Sequence, residues 1–474
     1  KMQKLVDRTV LLGEVRADLM TANESASLMI KQLADNAVDE NNIYNNPADY
    51  YDVINSCNIY LANVDENLKT HGEYYYEKEI VSVKAFRAWA YLELAKIYGE
   101  VPFVLDPITT ANAAEEAVAT GERRDLVGIC DFLIQDLLPY ASLAKNNDLR
   151  PSYSAQYNKV SVQKFFIPVR VMLGELYLWR GSFTGNQADF IEASRHYHDF
   201  LAFKNEERPT TGIRISWRDF EFTNSPAGVY SSSFTLSSDE VVTVVPMDTS
   251  EYYGTYTDLA GLFNSQHKNN YYVALSPSER IREISQAQTY CYLNKNGIRY
   301  DTIYAPKDAS KLQNEKLYVG DLRLTGVLTE NSYNDKYHAE YSKERQRISK
   351  YTVESIEEAG DVTIITTKSD GRLESVNLFR LGTIYLHMAE ALNRGGFPET
   401  AFAVLKYGLS DDILADSTIV SRNEYNRLAQ ITSPGFQSNL TKWDADYFIN
   451  IWNNCSYFAN SSNDFWLCIN NETC

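Results

Sequence analysis

Two distant segments of the chain repeat one helical pattern, and this repeat restricts the fold more than any other feature. Both segments contain Leu-Gly-x-x-Tyr-Leu, at 173–178 and at 381–386. Each is followed by a glycine-containing turn and a second helical stretch, at 193–197 and at 401–405, and positions 88–92 carry a fainter copy. Because one helix–turn–helix unit cannot bury its apolar side alone, the repeat predicts stacked helical hairpins.

The repeated segments resemble tetratricopeptide repeats. In such repeats a small glycine lets the partner helix approach closely, and the tyrosine fills the groove between the helices. Gly174 and Tyr177 occupy these positions in the first copy, and Gly382 and Tyr385 occupy them in the second. We therefore expect these tyrosines to pack in the core.

Apolar residues recur at helical spacing from Lys1 to about Phe203. The stretch 79–98 places apolar residues such as Val83 and Phe86 three or four positions apart, and Gly99 follows it. This spacing predicts an amphipathic helix that ends at the glycine. The same reasoning predicts helices near 23–38, 48–69, 123–138, 161–180 and 187–203.

The stretch from Lys204 to about Lys350 lacks helical periodicity and is rich in Tyr, Ser, Asn and Gly. A strand is predicted at 240–246 and a hairpin at 362–376, with its turn at Ser369-Asp370-Gly371. Loops of this length inside a compact protein are usually functional or disordered, and the aromatic density argues against disorder. We therefore expect the insertion to carry the ligand-binding face.

Composition narrows the class of protein. The chain has 474 residues with a net charge of -18, which would repel a phosphate backbone, so nucleic acid is not an expected partner. No stretch approaches the roughly 18 apolar residues of a membrane-spanning helix. Aromatic residues make up 13% of the chain, with 34 Tyr, and tyrosine suits a surface that contacts both water and a ligand.

The six cysteines include no C-x-x-C pair. Cys57 and Cys130 lie in helical patterns and are expected to be buried free thiols. Cys455, Cys468 and Cys474 cluster near the end of the sequence and could pair only in an oxidising compartment.

Motifs of known catalytic sites are missing from the sequence. It contains no G-x-S-x-G, no H-E-x-x-H, no phosphate-binding loop and no G-x-G-x-x-G after a strand. His387 and Glu390 are three positions apart on one helix and could ligate a metal together, but no second such pair is present. We predict a protein that is not an enzyme and binds no metal or cofactor. A glycosidase remains an alternative, because its two carboxylates are recognised only by their separation in space.

The segment Lys84–Ile108, KAFRAWAYLELAKIYGEVPFVLDPI, resembles the block by which the RagB/SusD family of Bacteroidetes outer-membrane nutrient-binding lipoproteins is known. That block is an arginine-alanine-aromatic-x-tyrosine helix that ends in Tyr-Gly-x-x-Pro. The segments Leu11–Met20 and Phe379–Leu409 resemble two further blocks of the family, in the family's order.

This resemblance implies a mainly α, SusD-like fold: a tetratricopeptide-like helical-repeat scaffold with a large irregular insertion that contains short strands. We expect one domain over 1–474 with four parts. These are a helical scaffold (1–203), a ligand-binding insertion (204–375), a helical repeat pair (376–409) and a C-terminal region of unknown role (410–474).

The resemblance also implies a function. It suggests non-catalytic binding of oligosaccharides or polysaccharides at the cell surface, and their delivery to a SusC-like TonB-dependent transporter. The protein would be held on the extracellular face of the outer membrane by a lipid anchor alone, although this sequence shows no anchoring cysteine at its start. An oligopeptide-binding member of the same family, or a helical-repeat scaffold for protein partners, remains an alternative.

Candidate ligand-binding residues fall in three places. Tyr290 and Tyr292 flank Cys291, and an extended backbone would point both rings to one side unless one of them packs inward. Asp39 and Asn41, with the neighbouring Asn42, form a polar cluster suited to hydroxyl recognition and equally to helix capping.

Asp65 is considered together with this polar cluster. It is expected near the end of the helix predicted at 48–69, where a carboxylate opposes the helix dipole. The third place is Arg380 and Tyr407. A turn at 395–398 would return the chain so that the two residues lie at the same end of a helical hairpin, as a cation and aromatic pair. The alternative is that Arg380 forms an ion pair that holds the repeat to the insertion.

Overall fold

The structure is a computed structural model. It describes residues 1–17, 19–143, 149–153, 156–157, 160–207, 241–246, 259–263, 274–280, 289–293, 299–304, 353–359, 362–368, 375–407 and 414–431.

The described helices are α1 (Met2–Leu5), a π-helix (Thr9–Glu14), α2 (Leu28–Ala34), α3 (Ala48–Asn63), α4 (Glu77–Tyr98), α5 (Ala111–Thr120), α6 (Leu126–Leu143), a 3₁₀ helix (Val162–Phe165), α7 (Val169–Thr184), α8 (Gln187–Glu207), α9 (Leu259–Phe263), α10 (Leu381–Arg394), α11 (Pro398–Tyr407) and α12 (Arg422–Ile431).

The described strands are β1 (Met20–Ala22), β2 (Lys69–Thr70), β3 (Glu73–Tyr74), β4 (Val101–Pro102), β5 (Arg123–Arg124), β6 (Gln156–Tyr157), β7 (Val160–Ser161), β8 (Val241–Pro246), β9 (Leu275–Pro277), β10 (Thr289–Leu293), β11 (Arg299–Tyr304), β12 (Val353–Ala359), β13 (Val362–Lys368) and β14 (Ser375–Arg380).

The helices stack in sequence order. Helix α3 packs on α4, α4 on α6, α6 on α7 and α7 on α8, and then α10 packs on α8 and α11 on α10. One continuous hydrophobic core runs through this stack. Strands occur only as two-stranded pairs in the described part of the chain. The predicted mainly α-helical repeat scaffold is confirmed.

Helix α4 is the centre of the stack. Its predicted end is confirmed, and Gly99 ends it with a φ of 72°, whereas it begins at Glu77, two residues before the predicted start. The helix is buried on more sides than the predicted amphipathic pattern indicated, because Trp89, Tyr91 and Leu92 are buried as well. The helix touches α3, α6 and α7, so it is covered from several directions.

The repeat glycine has the predicted role. A Cβ atom on Gly174 of α7 would lie 2.5 Å from the Tyr197 ring of α8, so only glycine admits this close approach. The Tyr197 hydroxyl donates to Glu175 Oε1 at 2.7 Å, which fixes the ring. The prediction that Tyr177 packs in the core is also confirmed, because it is 8% exposed and stacks on His196 at 5.5 Å. Burial lowers the pKa of His196 to about 4, so this side chain is a neutral core ring at pH 7.

A second, smaller core joins the N-terminal segment to the insertion. It contains residues of the π-helix, α2 and α9, and strand β1 pairs antiparallel with β9 through Met20 and Pro277. Strand β8 confirms the strand predicted at 240–246, and it pairs with β14 just before α10. Strands β8 and β9 therefore tie the insertion to the N-terminal segment and to the strand that precedes α10.

Three local predictions were wrong. Helix α3 ends at Asn63 instead of reaching 69, and Pro168 separates the 3₁₀ helix from α7 where one helix was expected. Strand β13 pairs with the preceding β12, and Ala359 opposite Val362 leaves a two-residue connection. Among the described strands β14 pairs with β8 and not with β13, so the predicted partner of β13 was wrong, whereas the predicted turn at 369–371 lies outside the described residues.

The described helices include none that is long and apolar enough to cross a membrane. Cys57 and Cys130 are buried free thiols, as predicted, whereas Cys455, Cys468 and Cys474 lie outside the described residues.

We expect Gly174→Ala to lower the free energy of unfolding by about 1–3 kcal/mol, because the new methyl group would displace the fixed Tyr197 ring. Urea unfolding measures this change. Gly13→Ala is the control, since Gly13 is exposed and nothing lies within 4 Å of its added Cβ. Equal midpoints for the two variants would contradict the close-packing argument.

A partly buried ion pair joins α7 to α10 and predicts a pH dependence of stability; Glu175 is buried and the His387 side chain is 33% exposed. His387 Nδ1 lies 2.6 Å from Glu175 Oε1. Burial lowers the pKa of His387, but the Glu175 carboxylate outweighs burial and raises it above its usual 6.5. Burial likewise raises the pKa of Glu175, but His387, the Tyr197 hydroxyl and Lys96 lower it overall below 4.5.

The pair therefore stabilises the fold fully between about pH 4.5 and 6.5. Its contribution is lost as the pH rises through the raised pKa of His387, and also as the pH falls through the lowered pKa of Glu175. We expect the difference in melting temperature between the parent and His387→Gln to be largest in that window and to shrink towards pH 9. His71→Asn, at an exposed turn residue, serves as the control and should show no such window. A difference that grows above pH 7 would refute the assignment.

Candidate ligand-binding site

The segment between α3 and α4 forms a tight β-hairpin. Thr70 is paired with Glu73, so His71 and Gly72 are the two turn residues, and both have positive φ, 56° and 89°. This is the turn geometry that matches the twist of the flanking strands, and glycine adopts it without strain. The hairpin therefore presents the residues that follow it in a fixed direction.

Three consecutive tyrosines follow the turn. Tyr74 and Tyr75 are 49% and 56% exposed, and Tyr76 is half-buried at the start of α4. Tyr75 and Tyr76 meet edge to face with ring centroids 4.7 Å apart. The Lys69 amine lies 4.2 Å from the centre of the Tyr74 ring. Large apolar surfaces of this kind are normally buried, so their exposure needs an explanation.

A fourth exposed tyrosine reaches the same place from another loop. Tyr153 is 61% exposed, and its hydroxyl donates to Glu79 Oε1 in the first turn of α4 at 2.6 Å. Its φ of 47° lies in the left-handed region, which costs a non-glycine residue about 1–3 kcal/mol. Such strain persists only where the surroundings hold the residue in place.

Electrostatic interactions link these residues into one cluster. Partial burial, the hydrogen bond to Glu79 and the nearby hydroxyls of Tyr60 and Tyr75 all raise the pKa of Tyr153. Burial, Glu79 and Tyr76 also raise the pKa of Tyr60. We call the set formed by Tyr60, Tyr74, Tyr75, Tyr76 and Tyr153 the tyrosine rim.

The tyrosine rim borders an open cleft of about 450 Å³. Tyr60 belongs to both, and the cleft continues between α3, α4, α1 and β8. Its walls are mainly apolar and include Val53, Phe86 and Val245. Gln3 and Ser56 contribute polar groups to the lining of the cleft. The Gln3 Nε2 also donates to the Pro246 carbonyl at 2.8 Å. Exposed ring faces beside an apolar cleft with a few polar groups are suited to a small or chain-like ligand.

Among family models and among curated proteins, no match to this chain is found. Solved structures do match. A SusD superfamily protein from Bacteroides thetaiotaomicron VPI-5482 aligns with a TM-score of 0.55 at 13% identity, covering 94% of this chain and 83% of that one. A SusD-like carbohydrate binding protein from Bacteroides fragilis NCTC 9343 aligns with a TM-score of 0.51 at 14% identity, covering 97% and 78%.

The chain has the SusD-like fold.

On this SusD-like fold, the predicted residue Asp65 lies at the base of the hairpin that presents the tyrosine rim. Its carboxylate accepts from the Asn67 amide at 3.0 Å, and the Tyr75 amide donates to the Leu68 carbonyl at 2.9 Å. Because α3 ends at Asn63, Asp65 is outside the helix and does not oppose its dipole as predicted. It stabilises the turn that leads into the rim.

The polar cluster at 35–44 lies before α3. The Asp39 carboxylate accepts from Gln32 Nε2 at 2.6 Å and from the Asn41 amide at 2.8 Å, so it caps its own loop. Asn42 is 2% exposed and donates to the Met29 carbonyl. A ligand-binding role for Asp39 and Asn41 stays a prediction.

The other predicted site residues are only partly described. Tyr290 and Tyr292 lie in strand β10, and the register shifts between Cys291 and Leu293. Arg380 is the last residue of β14, precedes α10 directly and pairs with Val241. Tyr407 is the last residue of α11. The side chains of all three tyrosines lie outside the described set, so the proposed rings and the Arg380–Tyr407 pair stay predictions.

The tyrosine rim was not among the residues predicted from the sequence. A local signal was present, because three tyrosines follow a glycine and directly precede the strongest helix. Three consecutive side chains do not all point to one side of a strand or a helix, so at least one of these rings was to be expected on the surface. No local signal identified Tyr153 as their neighbour.

The polar cluster gives a test of the capping role. We expect Asp39→Ala to lower the free energy of unfolding by about 1 kcal/mol, because Gln32 and the Asn41 amide lose their acceptor. Asn41→Ala is the matched control. Asn41 is exposed, and its main-chain amide, which the substitution keeps, is the group that donates to Asp39. The free energy of unfolding of this variant should therefore stay within about 0.5 kcal/mol of the parent's. Urea unfolding of both variants decides, and an Asp39→Ala midpoint equal to the parent's would contradict the capping role.

Proposed function

We propose that this protein binds a glycan at the tyrosine rim and does not cleave it. The observation that carries the proposal is the group of exposed tyrosine rings held on a tight hairpin beside an apolar cleft. A Bacteroides fragilis protein of the same fold is a SusD-like carbohydrate binding protein, which supports this assignment.

The chemistry of the rim fits a sugar ring. One face of a pyranose carries C–H groups that pack on an aromatic ring, while its hydroxyl groups need hydrogen-bond partners around the edge. The rim offers both, because the tyrosine hydroxyl groups and the Asp65 and Glu79 carboxylates lie beside the rings. The hairpin fixes the rings before the ligand arrives, which lowers the entropy cost of binding.

Carboxylate chemistry supports binding without cleavage. A glycosidase needs a carboxylic acid whose pKa is raised so that it can protonate the leaving group. In the described ranges, the carboxyl groups whose pKa is shifted all have it lowered. Hydrogen bonds from Ser421 and Thr418 lower the pKa of Glu399 and of Asp416. At Glu175 and Asp199 burial raises the pKa, but the charged and hydrogen-bonded partners lower it overall. Near the rim, Glu79 accepts from Tyr153, and Asp65 accepts from a main-chain amide.

The wider setting follows from the resemblance of three sequence blocks to the RagB/SusD family. The protein would be held by a lipid anchor at the extracellular face of the outer membrane, where it passes the glycan to a SusC-like TonB-dependent transporter. Co-purification of this chain with such a transporter from detergent-solubilised outer membranes tests that setting separately from glycan binding.

The binding test begins with a polysaccharide and oligosaccharide array, followed by calorimetric titration of a glycan that binds. We expect Tyr75→Ala and Tyr153→Ala each to weaken binding by about tenfold, because each removes a ring face that the ligand covers. The melting temperature should change little for Tyr75→Ala, since that ring is exposed.

Phe183→Ala is the matched control. Phe183 is 62% exposed on α7. Trp179, one helical turn before it, contacts Lys96 at the C-terminal end of α4, whereas the rim lies at the N-terminal end, so Phe183 is remote from the rim. This variant should bind like the parent. If no glycan on the array binds but a peptide library does, the ligand is an oligopeptide. Chromatography after long incubation should recover the glycan intact, and accumulating shorter products would end the non-catalytic assignment.

A further inference from the structure

The tyrosine rim lies in a strongly acidic part of the surface. Residues 64–79 contain five carboxylates and two amines, a net charge of 2 − 5 = −3. All seven side chains are exposed or half-buried. They are Asp65, Glu66, Lys69, Glu73, Glu77, Lys78 and Glu79.

Within the part of the chain that the structure describes, no salt bridge neutralises these carboxylates. Glu66, Glu73 and Glu77 have no cationic partner among the described residues, whereas Asp136 deeper in the stack is bound by both Lys84 and Arg87. The Lys69 amine lies over the Tyr74 ring instead of pairing with a carboxylate. The net charge of -18 on the whole chain adds to the local negative potential.

The position of Lys69 also shows what the rim attracts. An ammonium group 4.2 Å from a ring centre is held by the negative face of the aromatic ring. A bound sugar that carries a protonated amine would meet the same ring faces and the same carboxylates. A sugar that carries a carboxylate or a sulfate would be repelled by the ring faces and by the carboxylates, which outnumber the two amines of the segment.

We propose that the tyrosine rim selects saccharides by charge: it accepts neutral and amino-bearing saccharides and rejects those with uronate, sialate or sulfate groups. This inference rests on the proposed function of the rim as a saccharide site. The selection is electrostatic and acts over distances near 10 Å, so it must depend on ionic strength.

The size of the effect follows from Coulomb's law in water. Three uncompensated charges about 10 Å from a ligand carboxylate should weaken binding about fivefold for each ligand charge at about 10 mM salt. At about 0.15 M salt the Debye length is about 8 Å, and the penalty should fall below about twofold. A protonated amine should show the opposite sign.

The test uses one neutral oligosaccharide that binds on the array, together with its own derivatives. Oxidation of its primary hydroxyl groups to carboxylates gives an anionic form with the same rings, and replacement by amines gives a cationic form. Calorimetric titration of the three forms at low and high salt should rank the affinities cationic, neutral, anionic, with the differences shrinking at high salt.

A double variant identifies the source of the selection. Glu66→Gln with Glu73→Gln removes two rim charges and should bring the anionic and neutral forms to within about twofold at low salt. Glu100→Gln with Glu122→Gln is the control with the same change in net charge. Those two residues lie beyond Gly99 at the far end of α4, about 30 Å from the rim, and should leave the ranking unchanged.

The outcomes separate the two claims. If the neutral form binds and the anionic form binds equally well at low salt, charge selection is wrong and saccharide binding stands. If the selection persists in the Glu66→Gln and Glu73→Gln variant, it does not come from the rim and the inference is wrong. If no saccharide on the array binds, the proposed function fails, and the inference fails with it.

Discussion

The guanidinium group of Arg87 joins the three helices on which the rest of the structure depends. It is only 6% exposed, and it donates from α4 to Asn58 on α3 and to Asp136 on α6 at 3.1 and 2.8 Å. Lys84 binds the same Asp136 at 2.6 Å. Removing one partner of a buried pair leaves an uncompensated charge, at about 3–5 kcal/mol, so the three helices are locked together. The candidate site spans α3 and α4, so this lock also fixes the site.

The sequence predicted helices well where burial is periodic, and it failed where the chain leaves the stack. The interval 48–69 contains apolar residues as far as Leu68, and the pattern gave no reason to stop earlier. In the structure α3 ends at Asn63, because Asp65 and Asn67 form a turn and the chain enters the hairpin. The wrong partner predicted for β13 has a related cause, since strand pairing is decided by tertiary contacts and not by a turn signal.

The candidate site was predictable only in part, because some of its residues are close in space but distant in sequence. Asp65 was predicted, and it does lie beside the rim, although for a different reason from the one that suggested it. Tyr153 reaches the rim through a hydrogen bond to Glu79, across 74 positions of the chain. Nothing in a single sequence marks that contact. Compositional reasoning predicted recognition by tyrosine, which stays a prediction, and it expected those tyrosines in the insertion, most of which lies outside the described residues.

The tyrosines of this protein divide into two physical classes, and the division explains why the residue is so frequent. In the stack, Tyr51, Tyr91 and Tyr197 bury their rings at least partly and donate their hydroxyl groups to the Pro102 and Val104 carbonyls and to Glu175. Phenylalanine would take one hydrogen-bond donor away from each of these acceptors. At the rim the rings of Tyr74 and Tyr75 are exposed and contribute little to the core. Substitutions there change the surface without disturbing the Arg87 lock, so one rigid scaffold can support different ligand preferences.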